Sequence, residues 1–124
     1  MFGKTPRQVL GNNGEDLAAS YLTKNGYRIL TRNFRTRFGE LDIVCLKAGT
    51  VVYVEVKTRI GRLFGTPEEA ITTRKIRRIL TAANIFQSAH PELPESIRLD
   101  CVSVEFDPSS GKLARLEHIE NITQ

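Results

Sequence analysis

The chain has 124 residues, 40% of them apolar, which fits one globular domain over residues 1–124. Its formal net charge of +4, from 18 Lys and Arg against 14 Asp and Glu, is compatible with a polyanionic partner such as nucleic acid. No apolar run reaches about 18 residues, and the first ten residues lack the apolar stretch of a signal peptide. These features argue against membrane and secreted classes and predict a cytoplasmic protein.

The chain begins with a predicted helix over residues 7–24, which Asn25-Gly26 ends with a left-handed stop. Its apolar stripe consists of Leu10, Leu17, Ala18, Tyr21 and Leu22. Glu15 projects from the margin of this stripe. Periodicity leaves two interpretations open, a side chain that reaches over the edge of the sheet or an ordinary flanking glutamate.

Three strands are predicted next. Residues 27–38 mix β-forming residues with arginines, a pattern typical of an edge or irregular strand with a basic side. Residues 41–46 and 51–56 form stronger strands, and the turn between them is short enough to require an antiparallel hairpin.

The hairpin carries three charged residues inside apolar runs, Asp42, Glu55 and Lys57. A turn at Ala48-Gly49 places Asp42 opposite Glu55, and a turn at Gly49-Thr50 places Asp42 opposite Lys57. Both registers leave the three side chains on one face because strand side chains alternate. An unpaired buried charge costs several kcal/mol, so we expect a divalent cation between the two carboxylates.

A solvated ladder of ion pairs is the competing interpretation for Glu55 and Lys57. The neighbours of Asp42 argue against it, because the strand is apolar on both sides. In the predicted alternation one face carries Leu41, Ile43 and Cys45, and the face of Asp42 carries Val44 and Leu46.

One helix and two strands are predicted for the second half of the chain. Thr66 is the expected N-cap, Pro67 the first helical residue and Glu69 the closing residue of a capping box. This helix runs to about residue 88, either continuous or broken near Thr72-Thr73. Strands over 97–106 and 112–119 complete the order α-β-β-β-α-β-β, which predicts an α/β fold with a mixed sheet flanked by helices.

Six other residues receive structural interpretations. Cys45 and Cys101 lie in apolar runs and are expected to be buried reduced thiols. His90 and His118 are isolated in sequence and are expected on the surface. Arg98 and Asp100 are expected to form a buried pair that supports the sheet, in preference to a supporting role at the metal site.

The chemistry of the hairpin predicts metal-dependent cleavage of phosphodiester bonds. Carboxylate oxygens of Asp42 and Glu55 suit Mg²⁺ or Mn²⁺, and the backbone carbonyl of Val56 adds a potential ligand. Lys57 is placed to orient water or to stabilise charge that grows on the phosphate.

Arginines supply the candidate surface for the nucleic-acid backbone. In the second helix they lie opposite an apolar stripe of Ile76, Ile79, Leu80 and Ala83, with Phe86 at its edge. A solvated helix face explains the helical arginines equally well. The candidate phosphate contacts are Arg35, Arg37, Arg59, Arg62, Arg74, Arg77 and Arg78.

A family resemblance rests on motifs spread over nearly the whole chain: Gly14-Glu15, Asn33-Phe34-Arg35, Gly39-Glu40-Leu41-Asp42, residues 54–59 and Arg98-Leu99-Asp100. They resemble the YraN family, which is similar to archaeal Holliday junction resolvases and to restriction-endonuclease-like proteins with a PD-(D/E)xK site. Leu41 stands where that motif has proline, a position that supplies no ligand.

The resemblance implies a restriction-endonuclease-like three-layer α/β/α core. It also implies Asp42 and Glu55 as metal ligands, Lys57 as the catalytic lysine and Glu15 as the glutamate of the first helix in the resolvase-like branch. A homodimer follows from the resemblance to resolvases alone.

The sequence thus predicts a Mg²⁺- or Mn²⁺-dependent endonuclease that acts on DNA in preference to RNA, with branched or structured DNA as a candidate substrate. The alternative is a non-catalytic nucleic-acid-binding module in DNA processing or uptake.

Overall fold

The computed structural model describes the backbone of residues 6–123 and the side chains of residues 13–123. Its elements are α1 (Pro6–Lys24), β1 (Arg28–Thr36), β2 (Gly39–Lys47), β3 (Thr50–Ile60), a 3₁₀ turn (Pro67–Ala70), α2 (Thr73–Ala89), β4 (Ile97–Phe106) and β5 (Leu113–Ile119). The prediction that residues 1–10 lack a signal peptide, and the place of Leu10 in the helix stripe, lie outside the described side chains.

The five strands form one mixed sheet in the order β1-β2-β3-β4-β5. Only β3 and β4 are parallel, and the other three neighbouring pairs are antiparallel. The connection between the parallel strands contains α2, as a crossover requires. The predicted α/β fold with a mixed sheet is confirmed. Among the described residues, neither helix is both long and apolar enough to span a membrane.

The β2–β3 hairpin turns at Ala48 and Gly49, whose φ angles are 48° and 77°. Two positive φ values are the mark of a type I′ turn, which matches the twist of the strands it joins. Lys47 consequently pairs with Thr50, and the ladder runs back to the pair Ile43–Val54. Of the two predicted registers, the first is the one that forms.

β1 is an irregular edge strand, as predicted. Its register against β2 shifts between Ile29 and Thr31, and Asn33 has a φ of 56°. Around Asn33 the normal alternation of side chains is broken: Arg32 contacts α1, and Phe34 packs edge-on against Phe86 of α2 at 5.2 Å between ring centroids.

This irregularity corrects one prediction. Leu41, opposite Phe34 in the ladder, does not share the face of Ile43 and Cys45. It packs instead with Val44 in the cluster on α2, beside its ladder partner Phe34, which follows the left-handed Asn33 and lies on that face. The part of β2 just before Ile43 therefore departs from simple alternation.

Two apolar clusters cover the sheet. Ala18 and Leu22 of α1 pack with Val52 and Val54 of β3, while Tyr53, from the alternate set of β3 residues, packs with α2. Since alternating residues of β3 enter different clusters, the two helices pack on opposite faces. Both cysteines are buried and neither forms a disulfide bond, as predicted.

The segment after β3 forms two helical pieces, so of the two predicted alternatives the broken helix is the one that forms. Glu69 accepts hydrogen bonds from the backbone N–H and hydroxyl of Thr66, at 3.3 and 2.8 Å, and closes the expected capping box. The 3₁₀ turn then ends at an extended Ile71, and the Thr72 hydroxyl accepts the N–H of Lys75 to begin α2. Phe86 proves to be central to the α2 packing, not at its edge, because it contacts rings on both β1 and β3.

A buried polar network joins β4, β5 and α1. Arg98 donates to both carboxylate oxygens of Asp100 at 2.8 Å, and the backbone N–H of Asn121 donates to the same carboxylate. His118 also contacts Asp100, at 2.7 Å, and its side chain is only 7% exposed. The prediction that His118 lies on the surface is therefore wrong, because β5 turns it inward. His90 is 41% exposed, as expected.

Candidate functional site

The candidate site begins where β2 and β3 separate. Beyond the pair Ile43–Val54, the next residue back along β2 is Asp42 and the next along β3 is Glu55. At this point the Asp42 carboxylate accepts the backbone N–H of Val56 at 2.9 Å. A backbone N–H group of β3 thus donates to a side chain of β2. The Asp42 carboxylate therefore lies where the gap between the two strands opens.

Glu55 lies on the α2 side of β3 and is only 5% exposed. Its Oε1 atom lies 3.6 Å from Nζ of Lys57 and 3.5 Å from Nζ of Lys75, which comes from the first turn of α2. Asp42, Glu55 and Lys75 line one cleft of about 240 Å³. The structure therefore brings together the three charged residues predicted from the hairpin and adds a second lysine.

Burial acts against ionisation at both carboxylates. Burial first, and then the negative charge of Glu55, raise the pKa of Asp42 to about 7, although the N–H of Val56 opposes the shift. Burial likewise raises the pKa of Glu55, against the opposing effect of Lys75 and Lys57. Two close carboxylates whose charged forms are poorly solvated are a common feature of catalytic and metal sites.

Glu15 is positioned by a close approach of α1 to the sheet. Gly14 is buried against Thr58 of β3, so closely that a Cβ atom at residue 14 would lie 2.1 Å from the Thr58 Oγ1. The next residue, Glu15, accepts hydrogen bonds from Arg32 and Asn33 of β1, each at 3.0 Å. Glu15 does not line the cleft, but its charge is among the causes of the raised pKa of Asp42.

The predicted phosphate-binding arginines divide into two groups. One group lines a groove between the β1–β2 turn and α2, which we call the basic groove; its residues are Arg37, Phe38, Arg74, Arg77, Arg78 and Thr81. Arg78 also lines the cleft of Asp42 and Glu55. The basic groove and the carboxylate cleft are thus neighbouring sites.

The other predicted arginines lie elsewhere. Arg62 is held by Glu105 through contacts of 3.1 and 3.2 Å, so its charge is already paired. Arg35 is 81% exposed on β1 with Glu40 at 3.9 Å. Arg59 is half-buried beside Glu105 in the β3–β4 ladder. None of the three lines the basic groove.

Lys75 is the site residue that sequence reasoning missed. It lies on α2 one residue after Arg74, and the helix projection treated the arginines alone as functional. No local signal identifies it, because its role comes from the contact of its Nζ with Glu55 across the packing of α2 on β3. Asn33 belongs to one of the motifs that carry the family resemblance, but its contact with Glu15 depends on a left-handed backbone that composition did not predict.

A second group of potential metal ligands has a different explanation. Oxygen or nitrogen atoms of Asp100, His118 and Glu120 lie within 4.8 Å of one another. Asp100, however, already accepts two hydrogen bonds from Arg98, whose positive charge compensates the carboxylate. We therefore assign this trio to the structural network that joins β4, β5 and α1.

Comparison with known proteins gives consistent matches over most of the chain. The model of "Uncharacterised protein family UPF0102" matches residues 14–104, a range that contains Glu15, Asp42, Glu55 and Lys57. A UPF0102 protein of Syntrophomonas wolfei subsp. wolfei is 48% identical over 112 residues, which cover 90% of this chain and 95% of the relative.

Relatives from other bacteria match over a similar length. A UPF0102 protein of Geobacter metallireducens is 44% identical over 112 residues, covering 90% of this chain and 89% of the relative. One of Mycobacterium tuberculosis is 43% identical over 119 residues, covering 94% and 93%. These matches confirm the predicted YraN-like membership, and the chain belongs to the UPF0102 family.

Proposed function

We propose that this protein is a Mg²⁺- or Mn²⁺-dependent endonuclease that hydrolyses phosphodiester bonds in DNA. The observation that carries the proposal is the pair of buried carboxylates, Asp42 and Glu55, beside Lys57 where β2 and β3 separate. The packing of one helix on each face of a mixed sheet supports a restriction-endonuclease-like three-layer core.

The carboxylates fit a divalent cation. Their raised pKa values mean that the protein alone stabilises their charged forms poorly, so positive charge between them is favourable. Asp42 and Glu55 would hold the ion through hard oxygen atoms, and the carbonyl of Val56 is a third candidate ligand. The chemistry supplied by such an ion is polarisation of a phosphate oxygen and formation of a nucleophilic hydroxide at neutral pH.

The protein's own groups provide the remaining functions. Lys57, 21% exposed and 3.6 Å from Glu55, is placed to orient an attacking water or to stabilise negative charge on the phosphate. Asp42 is fixed by the N–H of Val56, so its second oxygen has a defined direction. Glu15, held by Arg32 and Asn33, adds negative charge on the other side of β2.

The basic groove supports nucleic acid as the substrate. Arg74, Arg77 and Arg78 lie at helical spacing on one exposed side of α2, and Arg78 borders the carboxylate cleft as well. Guanidinium groups bind phosphate in a bidentate manner, so a backbone held in the groove would lead to the cleft.

One observation favours a second function, a nucleic-acid-binding module without efficient cleavage. Lys57 and Lys75 both approach the same oxygen of Glu55, at 3.6 and 3.5 Å. Two ammonium groups compensate part of the Glu55 charge, as a metal would. If this arrangement persists in the presence of Mg²⁺, the site binds phosphate through lysines and does not cut.

A cleavage assay with variants separates the two functions. The purified protein is incubated with single-stranded, linear duplex and four-way-junction DNA in Mg²⁺, Mn²⁺ or EDTA. We expect cleavage that requires the metal and falls at least about 100-fold in Asp42→Asn and Lys57→Gln. Glu40→Gln, an exposed carboxylate in the same cleft, and Lys112→Gln, an exposed lysine of the β4–β5 turn, are matched controls that should retain activity.

The binding module predicts a different result. DNA binding that weakens with salt, without cleavage of any of the three substrates in either metal, would reject the endonuclease and support the module. Equal losses in Asp42→Asn and Glu40→Gln would also contradict the assigned roles.

A further inference from the structure

Phe38 is an aromatic side chain exposed among arginines. It lies in the β1–β2 turn, is 51% exposed and forms part of the basic groove together with four arginines and Thr81. The guanidinium carbon of Arg37 lies 5.3 Å from the centre of the Phe38 ring. An apolar ring of this size in a strongly basic groove is costly to solvate and is suited to a partner that is both flat and anionic.

The turn that carries Phe38 is held firmly. The Thr36 hydroxyl accepts the N–H groups of Phe38 and Gly39, at 3.1 and 3.0 Å, and donates to the Gly39 carbonyl at 2.8 Å. Gly39 lies against α2, where a Cβ atom would be in ordinary van der Waals contact with the Arg78 carbonyl oxygen, at 3.4 Å. The ring is thus presented by a fixed turn against the arginine side of α2, which lowers the entropic cost of binding.

We propose that the basic groove binds an unpaired nucleotide, with its base stacked on Phe38 and its neighbouring phosphates on the arginines of α2. Stacking on an aromatic ring requires an accessible base face, and in an intact duplex those faces are covered by the neighbouring base pairs. Phosphate contacts alone, without Phe38, would serve a duplex equally well.

The position of the groove gives this binding a consequence for the substrate. Phe38 is followed directly by Gly39, which lines the carboxylate cleft, and Arg78 lines both sites. A strand stacked on Phe38 is therefore unpaired where it enters the cleft, so the substrate is single-stranded nucleic acid or a duplex with an unpaired segment. This substrate class rests on the proposed nuclease function of the cleft; the nucleotide-binding groove itself does not.

The chain contains no tryptophan, so a single introduced tryptophan reports on one position. Fluorescence of Phe38→Trp is measured in EDTA, which prevents cleavage, during titration with a deoxyuridine oligonucleotide of about 15 nucleotides, its uridine counterpart and a blunt duplex of equal length. Phe64→Trp is the matched control, because Phe64 is 86% exposed and lies outside the basic groove.

We expect either or both single strands to quench Phe38→Trp, with the stronger of the two identifying the preferred sugar, and the duplex to leave it nearly unchanged. Phe64→Trp should respond to none of them. Phe38→Ala should weaken binding of the single strand by about 10-fold and binding of the duplex by less than about 2-fold. Phe38→Tyr should restore binding, which shows that the loss reflects the ring and not the fold.

Equal quenching by duplex and single strand, or a loss in Phe38→Ala that is the same for both, would overturn the proposal. An unquenched Phe38→Trp beside a protein that still cuts duplex DNA rejects the nucleotide site and leaves the nuclease. Quenching by a single strand in a protein that cuts nothing retains the nucleotide site and rejects the nuclease.

Discussion

The charged form of Asp42, which the proposed metal site requires, lowers the stability of the folded protein. Burial and the charge of Glu55 raise its pKa to about 7, so the carboxylate is harder to ionise in the folded protein than in the unfolded chain. An acid whose pKa rises on folding favours the folded state while it is protonated. Its contribution is lost as the pH increases from the unfolded pKa to the folded one.

Replacement of Asp42 by Asn should therefore stabilise the metal-free protein at high pH. Asn keeps an acceptor for the N–H of Val56 and removes the titrating charge. In EDTA at pH 8, we expect Asp42→Asn to exceed the wild-type free energy of unfolding by about 2–4 kcal/mol, with little difference below pH 4. Denaturant unfolding across this range provides the measurement.

Glu40→Gln is the control for this comparison. Glu40 lines the same cleft but its side chain is 42% exposed, so its replacement should change stability by less than about 0.5 kcal/mol. A difference between Asp42→Asn and wild type that does not vary with pH would show that ionisation of Asp42 carries no penalty.

At the scale of elements, the site depends on how closely α1 approaches β3. Gly14 allows this approach, because a Cβ there would meet three side-chain atoms of Thr58, at 2.1, 3.1 and 3.2 Å. This contact sets the distance of Glu15 from β1, where Arg32 and Asn33 bind its carboxylate. A glycine inside a helix thus permits close packing here despite its unfavourable helix propensity.

Gly14→Ala should destabilise the protein even though alanine is the better helix former. The clash costs about 1–3 kcal/mol, and the gain in helix propensity returns about 1 kcal/mol. A compensating change is available, because Thr58→Ala removes the two atoms nearest to the added methyl group. In a double-mutant cycle by thermal unfolding, we expect Gly14→Ala to be less harmful in the Thr58→Ala background. Additive losses would contradict the close-packing explanation.

The elements that local signals control were predictable from sequence. The hairpin was predicted from its short turn, although Ala48-Gly49 and Gly49-Thr50 both remained open as the centre of that turn, and Thr66 with Glu69 marked the start of the helical segment. The face of Leu41 was not predictable, because it follows from the left-handed Asn33 on the neighbouring strand. Alternation within one strand contains no information about a kink in its partner.

Contacts between distant segments account for the other differences. His118 appeared isolated because its partners, Asp100 and Tyr21, are 18 and 97 residues away in the chain. Arg62 carried the expected positive charge, but the fold pairs it with Glu105. Helical projection identified the arginines of α2, yet the contact of Lys75 with Glu55 depends on the packing of α2 over β3. Such pairings are properties of the tertiary structure.

At the scale of the molecule, the sheet separates two kinds of polar cluster. At the end where β2 and β3 diverge, Asp42 and Glu55 have raised pKa values, and the basic groove lies beside them. In the network between β4, β5 and α1, Arg98 is bonded to Asp100 and the pKa of Asp100 is lowered by its partners despite burial. In the first cluster the charged forms of the two carboxylates are poorly stabilised, which is typical of a functional site. In the second cluster the charged groups are hydrogen-bonded to one another.

Binding of Mn²⁺ to the metal-free protein tests the central claim most directly, because it requires no knowledge of the substrate. We expect calorimetric titration at pH 8 to detect Mn²⁺ binding that weakens by at least about 10-fold in Asp42→Asn and in Glu55→Gln. Glu40→Gln and Glu120→Gln, from the same cleft and from the Asp100 network, should bind as the wild type does. Absence of binding, or affinity unchanged by loss of Asp42 and Glu55, would contradict a metal site at the divergence of β2 and β3.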